Sequence, residues 1–362
     1  MSLLVEMNDR AMKLGVPLSV HIDVTYRCNE RCQHCYLDHD DHGEMTTAEI
    51  KGILDQLAEA GVFFLVFSGG EVFMRRDFLE LVEYARQRMF NVKVKTNGAM
   101  IREHEAQRLR ELGVEQVQIS VYSHRPEIHD AITKLPGSLK RTLDSIRFLK
   151  SQGLKVTVSN VLMTVNRADQ RSTQALAREL NVDYTLDPTV TPMMDGDTSV
   201  LALRVDGENL DELFADPSLV GNPEEFCAKP GPVDDDVLEG YSCSAGHTAC
   251  YISPYADVYP CVQFPLPSGN LRKQKFADIW KNSPQLKEVR SIRVRDLTVC
   301  SSCSHAGTCT RCPGLAYMEG SMRGPSSTDC EKSFHRTGIP SANMLRKAAA
   351  GQGPLIQIQP MG

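Results

Sequence analysis

Twelve cysteines in 362 residues constrain this chain more than any other feature, because they fall into groups that ordinary core packing does not require. Three form the run Cys28-Asn-Glu-Arg-Cys32-Gln-His-Cys35, eight lie at Cys243, Cys250, Cys261, Cys300, Cys303, Cys309, Cys312 and Cys330, and Cys227 stands apart. Disulfides would suit a small secreted domain. This chain is long, and its start, MSLLVEMNDRAMK, has acids among the apolar residues and no signal-peptide layout, so a reducing cytoplasmic setting is expected. Cysteine at this density in such a compartment points to metal or redox chemistry. The 40 basic and 46 acidic side chains give a net charge of −6, against the basic excess of a nucleic-acid protein. No apolar run approaches the ~20 residues of a membrane span. Neither nucleic acid nor membrane is therefore an expected partner.

Between the cysteine groups the chain reads as alternating strands and helices. Strand-like runs cover Leu18 to Thr25, Val62 to Phe67, Val92 to Thr96, Gln116 to Tyr122, Val156 to Met163 and Val182 to Leu186. Helical patterns follow from the capping residues Thr46 and Thr47 to Gly61, then over Arg76 to Arg88, Arg102 to Leu112, Ser138 to Ser151 and Asp169 to Leu180. Six such β/α units imply an α/β fold with a parallel sheet, either open or a complete or partial barrel, and ligands at the carboxyl ends of its strands. The expected organisation is an N-terminal extension (1–17), the β/α core (18–190), a Pro-, Asp- and Gly-rich linker with one short helix (191–240), a cysteine-rich unit (241–335) and a C-terminal tail (336–362) that is loosely held from Ala348 to Gly362.

The first cysteine run follows the first strand. Three thiolates on one loop can hold a cluster with one iron left open, whereas zinc would need a fourth ligand such as His34, His39 or His42. The second strand ends in Ser68-Gly69-Gly70-Glu71, where glycines admit close approach of a ligand and a carboxylate can receive an ammonium group. Cys28-x3-Cys32-x2-Cys35-Tyr36 together with Gly69-Gly70-Glu71 resembles the radical S-adenosylmethionine (radical SAM) superfamily. The resemblance implies a partial (β/α)6 TIM-like barrel and a [4Fe-4S] cluster on Cys28, Cys32 and Cys35. It further implies a methionine amine bound at Gly69, Gly70 and Glu71 beside Tyr36, and reductive cleavage of the cofactor to a 5′-deoxyadenosyl radical. Ser120 is implied as a ribose or carboxylate contact, with Asn160 as a polar partner of the same ligand. Val72 replaces the proline that many relatives carry after the glutamate.

The C-terminal spacing C-x6-C-x10-C, then C-x2-C-x5-C-x2-C-x17-C, supplies eight thiolates for two four-ligand sites, for which structural zinc is the plain alternative. With Tyr259-Pro260-Cys261, Gly269-Asn270-Leu271 and Cys312-Pro313-Gly314, it resembles the SPASM domain of many radical SAM enzymes. That resemblance implies one auxiliary [4Fe-4S] cluster on Cys243, Cys250, Cys261 and Cys312 and another on Cys300, Cys303, Cys309 and Cys330. The short step from Cys309 to Cys312 leaves an exchange between these two open. Cys227 is either packed as a small apolar residue or a catalytic hydrogen-atom or proton donor.

The resemblance extends to members that mature ribosomally made peptides, through Ile119 to Ser123, His129-Asp130 and Pro136-Gly137-Ser138. It implies a precursor-peptide substrate, an oxidative cross-link or related product, and an electron donor such as flavodoxin or ferredoxin. A separate peptide-recognition protein is a further expected partner. Alternatives are a sulfatase-maturase-like activity, disfavoured because Val262 and Gln263 follow Cys261 where an aspartate base would stand, and a small-molecule or porphyrin-modifying oxidoreductase. Outside enzymes, the alternative is a zinc-stabilised binding protein. The basic stretch Arg272 to Arg295 reads either as a solvated face or as a dock for an acidic leader.

Overall fold

The computed structural model describes residues 3–205 and 207–350. Six parallel strands, β1 (Ser19–Asp23), β2 (Phe64–Ser68), β3 (Asn91–Thr96), β4 (Gln116–Ser120), β5 (Lys155–Val161) and β6 (Asp183–Asp187), lie side by side in chain order. Helix α1 (Leu3–Leu14) precedes them. The connections carry α2 (Thr47–Glu59), α3 (Phe78–Gln87), α4 (Glu103–Glu111), α5 (Pro126–Thr133), α6 (Ser138–Ser151) and α7 (Gln170–Glu179).

Alternation along β3 and β4 separates an apolar outer face from a polar inner one. In β3, Val92 and Val94 are fully buried while Asn91, Lys93 and Lys95 are only partly so. Val20, Ile22, Leu65, Phe67, Val117 and Ile119 join the valines in one core with Ile50, Leu54 and Leu57 of α2, Leu81 of α3, Leu109 of α4 and Ile146 of α6. The opposite face presents Lys95 beside Gln118 and Ser120 beside Ser159. A closed barrel fills its lumen with branched apolar residues; this polar face instead leaves space for a ligand. The helices are fixed locally. Thr46 accepts the Glu49 amide, and the Glu49 carboxylate accepts the Thr46 amide at 2.7 Å, a capping box at the start of α2.

The sheet does not stop at β1. Strand β7 (Ala249–Ile252) pairs in parallel with its other edge, and β8 (Asp257–Tyr259) and β9 (Gly269–Asn270) continue antiparallel, giving the order β6-β5-β4-β3-β2-β1-β7-β8-β9. The cysteine-rich region thus shares a sheet with the β/α core. Between them, where a linker with one helix is expected, lie helices Gly207–Phe214, Pro217–Val220, Pro223–Phe226 and Asp235–Glu239. Two of these begin with a capping side chain, Asp216 or Asn222, directly before proline. Within the cysteine-rich region two helices follow one another, Phe276–Asn282 and Pro284–Ser291, because Pro284 has no amide proton to continue the first. In the C-terminal tail, helix Ala342–Ala349 is anchored by the Ala342 amide on Cys303 Sγ at 3.4 Å; the stretch expected to be loosely held lies, from 351 onward, outside the described residues. Among the described residues no helix is long and apolar enough to cross a membrane.

Candidate active site

A cavity of about 450 Å³ opens at the carboxyl ends of the parallel strands, lined by Cys28, Cys32, Cys35 and Tyr36 on one side and by Lys95, Gln118, Ser120, Asp187 and Gln263 on others. Its rim is built by close contact between two loops. The Gly70 amide donates to the Thr25 carbonyl and the Glu71 amide to that of Arg27, both at 2.9 Å. A Cβ on Gly69 would lie 2.1 Å from the Thr25 oxygen, and one on Gly70 would lie 2.5 Å from the Tyr26 and Arg27 oxygens. The paired glycines let the end of β2 lie against the chain that leads into Cys28. Glu44 fixes the same chain, accepting from Thr25 Oγ1 at 2.8 Å and the Tyr26 amide at 2.7 Å. The cysteine loop is pinned from its other side by α5, whose Thr133 and Ile132 carbonyls accept the Arg31 and Gln33 amides.

The donor set fits a polynuclear cluster. Zinc–thiolate bonds of about 2.3 Å put tetrahedral sulfurs about 3.8 Å apart, and among the described residues no three cysteine sulfurs lie within 4.8 Å of one another. Wider spacing suits an iron–sulfur cube, in which each thiolate binds a different iron. Burial pushes the Cys28 thiol up to about 12 and raises those of Cys32 and Cys35, so a bound cation is what would hold these groups as thiolates. Polar atoms without partners cluster here too: His34 Nδ1, His39 Nδ1 and Glu30 Oε1 are buried and unsatisfied. Burial pushes the Glu30 carboxyl up to about 7, beside Cys32 Sγ at 3.5 Å.

Two expected cofactor contacts are not on the cavity wall. Glu71 is fully buried, and its carboxylate accepts from Thr96 Oγ1 at 2.8 Å, the Asn97 amide at 2.9 Å and the Phe73 amide at 3.1 Å. It braces the turn after β3, and Asn97 in turn donates to Asn29 Oδ1 at 2.8 Å beside Cys28. Gly69 and Gly70 line this rim, whereas the Glu71 carboxylate does not reach the cavity wall. Asn160 faces away as well, donating to Tyr184 at 3.1 Å and accepting from Asn166 at 3.2 Å, because the strand alternation turns Ser159 and Val161 to the cavity instead. Tyr36, Gly69, Gly70 and Ser120 do line it.

Cys300, Cys303, Cys309 and Cys330 line a separate cavity of about 260 Å³, where Ser333 Oγ donates to Cys309 Sγ at 3.4 Å. The thiol of Cys261 lies within electrostatic reach of Cys243, Cys250 and Cys312. The structure thus groups Cys309 with Cys300, Cys303 and Cys330, the first quartet, and Cys312 with Cys243, Cys250 and Cys261, the second. Burial pushes the Cys250 and Cys330 thiols up to about 12 and that of Cys312 to about 11. Cys312 caps helix Pro313–Met318, which sits so close to the chain after Cys261 that a Cβ on Gly314 would lie 2.1 Å from the Gln263 carbonyl oxygen. Gln263 Oε1 is 3.9 Å from Cys312 Sγ while Gln263 also lines the 450 Å³ cavity, so the second quartet adjoins that cavity through one side chain.

Cys227 is not brought to either cavity. It packs against Leu162, Val205, Leu210 and Phe214, with Sγ donating to the Phe214 carbonyl at 3.6 Å. In the basic stretch, Arg272 is paired with Glu49, Arg295 with Glu239, Arg290 stacks on Trp280 and Arg293 on Tyr241. Those guanidinium groups serve internal contacts. The inner-face residues Lys95 and Gln118 were not singled out from the sequence, although the alternation Asn-Val-Lys-Val-Lys-Thr over 91–96 already sets Lys95 opposite the buried valines.

Comparison with known proteins agrees with this geometry. Residues 22–177 match the Radical SAM superfamily, and residues 243–313 match SPASM, an iron–sulfur cluster-binding domain. The chain is 30% identical to Mycofactocin maturase MftC of Mycobacterium tuberculosis over 82% of its length and 78% of the relative's. It is 26% identical to the AdoMet-dependent heme synthase of Methanosarcina barkeri, covering 84% of this chain and 93% of the other. The fold superposes on Streptococcus suis SuiB, solved bound to the precursor peptide SuiA, with a TM-score of 0.71 at 17% identity, covering 90% of this chain and 80% of SuiB.

Proposed function

The chain belongs to the radical SAM superfamily and carries a SPASM iron–sulfur domain, and from that premise we propose that it matures a precursor peptide, abstracting a hydrogen atom and giving an oxidative cross-link or related modification. The observation that carries this reading is Gln263, which lines the same cavity as Cys28, Cys32 and Cys35 and touches Cys312 of the second quartet. When bound, S-adenosylmethionine and three [4Fe-4S] clusters would supply the 5′-deoxyadenosyl radical and acceptors for the substrate's electron. Cys28, Cys32 and Cys35 would hold the cluster with an open iron. Cys243, Cys250, Cys261 and Cys312 would hold one auxiliary cluster, and Cys300, Cys303, Cys309 and Cys330 the other. Tyr36, Gly69, Gly70 and Ser120 would border the cofactor. Asn97 and α5 keep the cysteine loop in place, and Val262 and Gln263 form the wall between substrate and auxiliary site. An electron donor such as flavodoxin or ferredoxin, a separate peptide-recognition protein and a cytoplasmic setting belong to the same reading.

The mycofactocin maturase relative and SuiB with its precursor peptide support a peptide substrate; the heme synthase relative favours a tetrapyrrole as the second reading. Anaerobically reconstituted protein is expected to hold about twelve irons per chain. A precursor peptide encoded near the gene should stimulate 5′-deoxyadenosine formation and emerge lighter by two hydrogens. Stimulation by a porphyrin but by no peptide would replace the peptide reading, and bound zinc without iron would end both.

A further inference from the structure

The cavity wall carries a cation with no partner. Lys95 lies on the inner face of β3 beside Gln118, lines the cavity, and makes no hydrogen bond or ion pair with any described residue. The charged groups that face it from other elements are already engaged. Asp23 accepts from the Tyr251 hydroxyl at 2.9 Å and lies 3.0 Å from His21 Nε2. Asp187 accepts the Thr189 amide at 2.8 Å. Lys93, two residues earlier on the same face, adds a like charge. Burial lowers the Lys95 ammonium pKa, with Asp23, Cys261 and Asp187 acting against the shift. A partly buried ammonium on a cavity wall, without a hydrogen-bonded counter-charge, is open to a ligand anion that would supply one.

We propose that Lys95 receives a carboxylate of the peptide substrate and so fixes that end of the peptide inside the cavity. The proposal rests on reading this cavity as the substrate chamber. Gln118, the neighbour of Lys95 across the strand pair, offers an amide donor beside it.

The test uses iron-reconstituted, S-adenosylmethionine-loaded protein and two probes, N-acetylphenylalanine and N-acetylphenylalaninamide, followed by ligand-observed NMR. The acid should bind the wild-type and Lys95→Arg proteins and bind Lys95→Gln at least about tenfold more weakly. The amide should not distinguish the three. Iron content reports whether each variant is folded, and equilibrium dialysis should give an unchanged S-adenosylmethionine affinity. Equal acid binding by wild type and Lys95→Gln, or no acid binding by wild type, overturns the proposal. So does a loss of S-adenosylmethionine affinity in Lys95→Gln with acid binding intact, which assigns the carboxylate to the cofactor. Failure of the peptide reading shows separately, as a wild-type protein that no precursor peptide stimulates.

Discussion

A single buried carboxylate illustrates how residue chemistry and residue role can part. Glu71 is the acid its motif calls for, yet it spends both oxygens on Thr96, Asn97 and Phe73. Glu71→Ala leaves a hydroxyl and two amides without an acceptor, so a loss of about 1–3 kcal/mol of stability is expected. Because Asn97 supports the loop of Cys28, lower iron content should accompany the lower Tm; an unchanged Tm would contradict the bracing role. His129 makes a pH prediction. Burial holds its imidazole at about 4, below the ordinary 6.5. As pH falls between these values the unfolded chain takes up the proton first, so the native state loses stability through that window, by about 3 kcal/mol at most, and is unaffected above it. His129→Gln, which keeps an acceptor for the Tyr122 amide, should flatten part of this slope in urea unfolding between pH 6.5 and pH 4. At this scale the sequence was legible for cysteines, whose spacing is itself the signal. It misled for Asn160, where one residue of strand parity decides which side chain meets the cavity.

Among the elements, α5 matters beyond its eight residues. Its last carbonyls hold the cysteine loop, and its Asp130 accepts from the Gly137 and Leu139 amides and from Ser138 Oγ, capping α6. The segments that resembled peptide maturases, His129-Asp130 and Pro136-Gly137-Ser138, therefore act as a clamp under the metal loop. Asp130→Ala should cost about 1–2 kcal/mol, the usual value of a lost cap. Iron analysis should find the loss at the Cys28 loop; full occupancy would show that α5 stays docked without Asp130. The β/α repeats could be read because each has a run of buried apolar residues long enough to show its period. Helix α5 could not, being short and closed by Pro126 and Lys134, whose backbone is left-handed. Strands β7 to β9, of four, three and two residues, are too brief for alternation to register.

For the molecule as a whole, the decisive feature is that β1 is an interior strand, paired with β2 on one side and β7 on the other. A fragment ending at residue 240 would expose the edge of β1 as a row of unpaired backbone groups. Such a fragment is expected to aggregate on size-exclusion chromatography, and a monomeric, iron-binding fragment would show that the β/α core is self-sufficient. The helix that begins at Ser327 adds a second tie. Asp329 accepts the Cys312 amide at 2.7 Å, while the next residue, Cys330, lines the cavity of the other quartet. One step of chain therefore ties the two quartets together, so filling either one is expected to order the other. A chain starved of iron should divide between fully loaded and unloaded molecules, with half-loaded ones scarce.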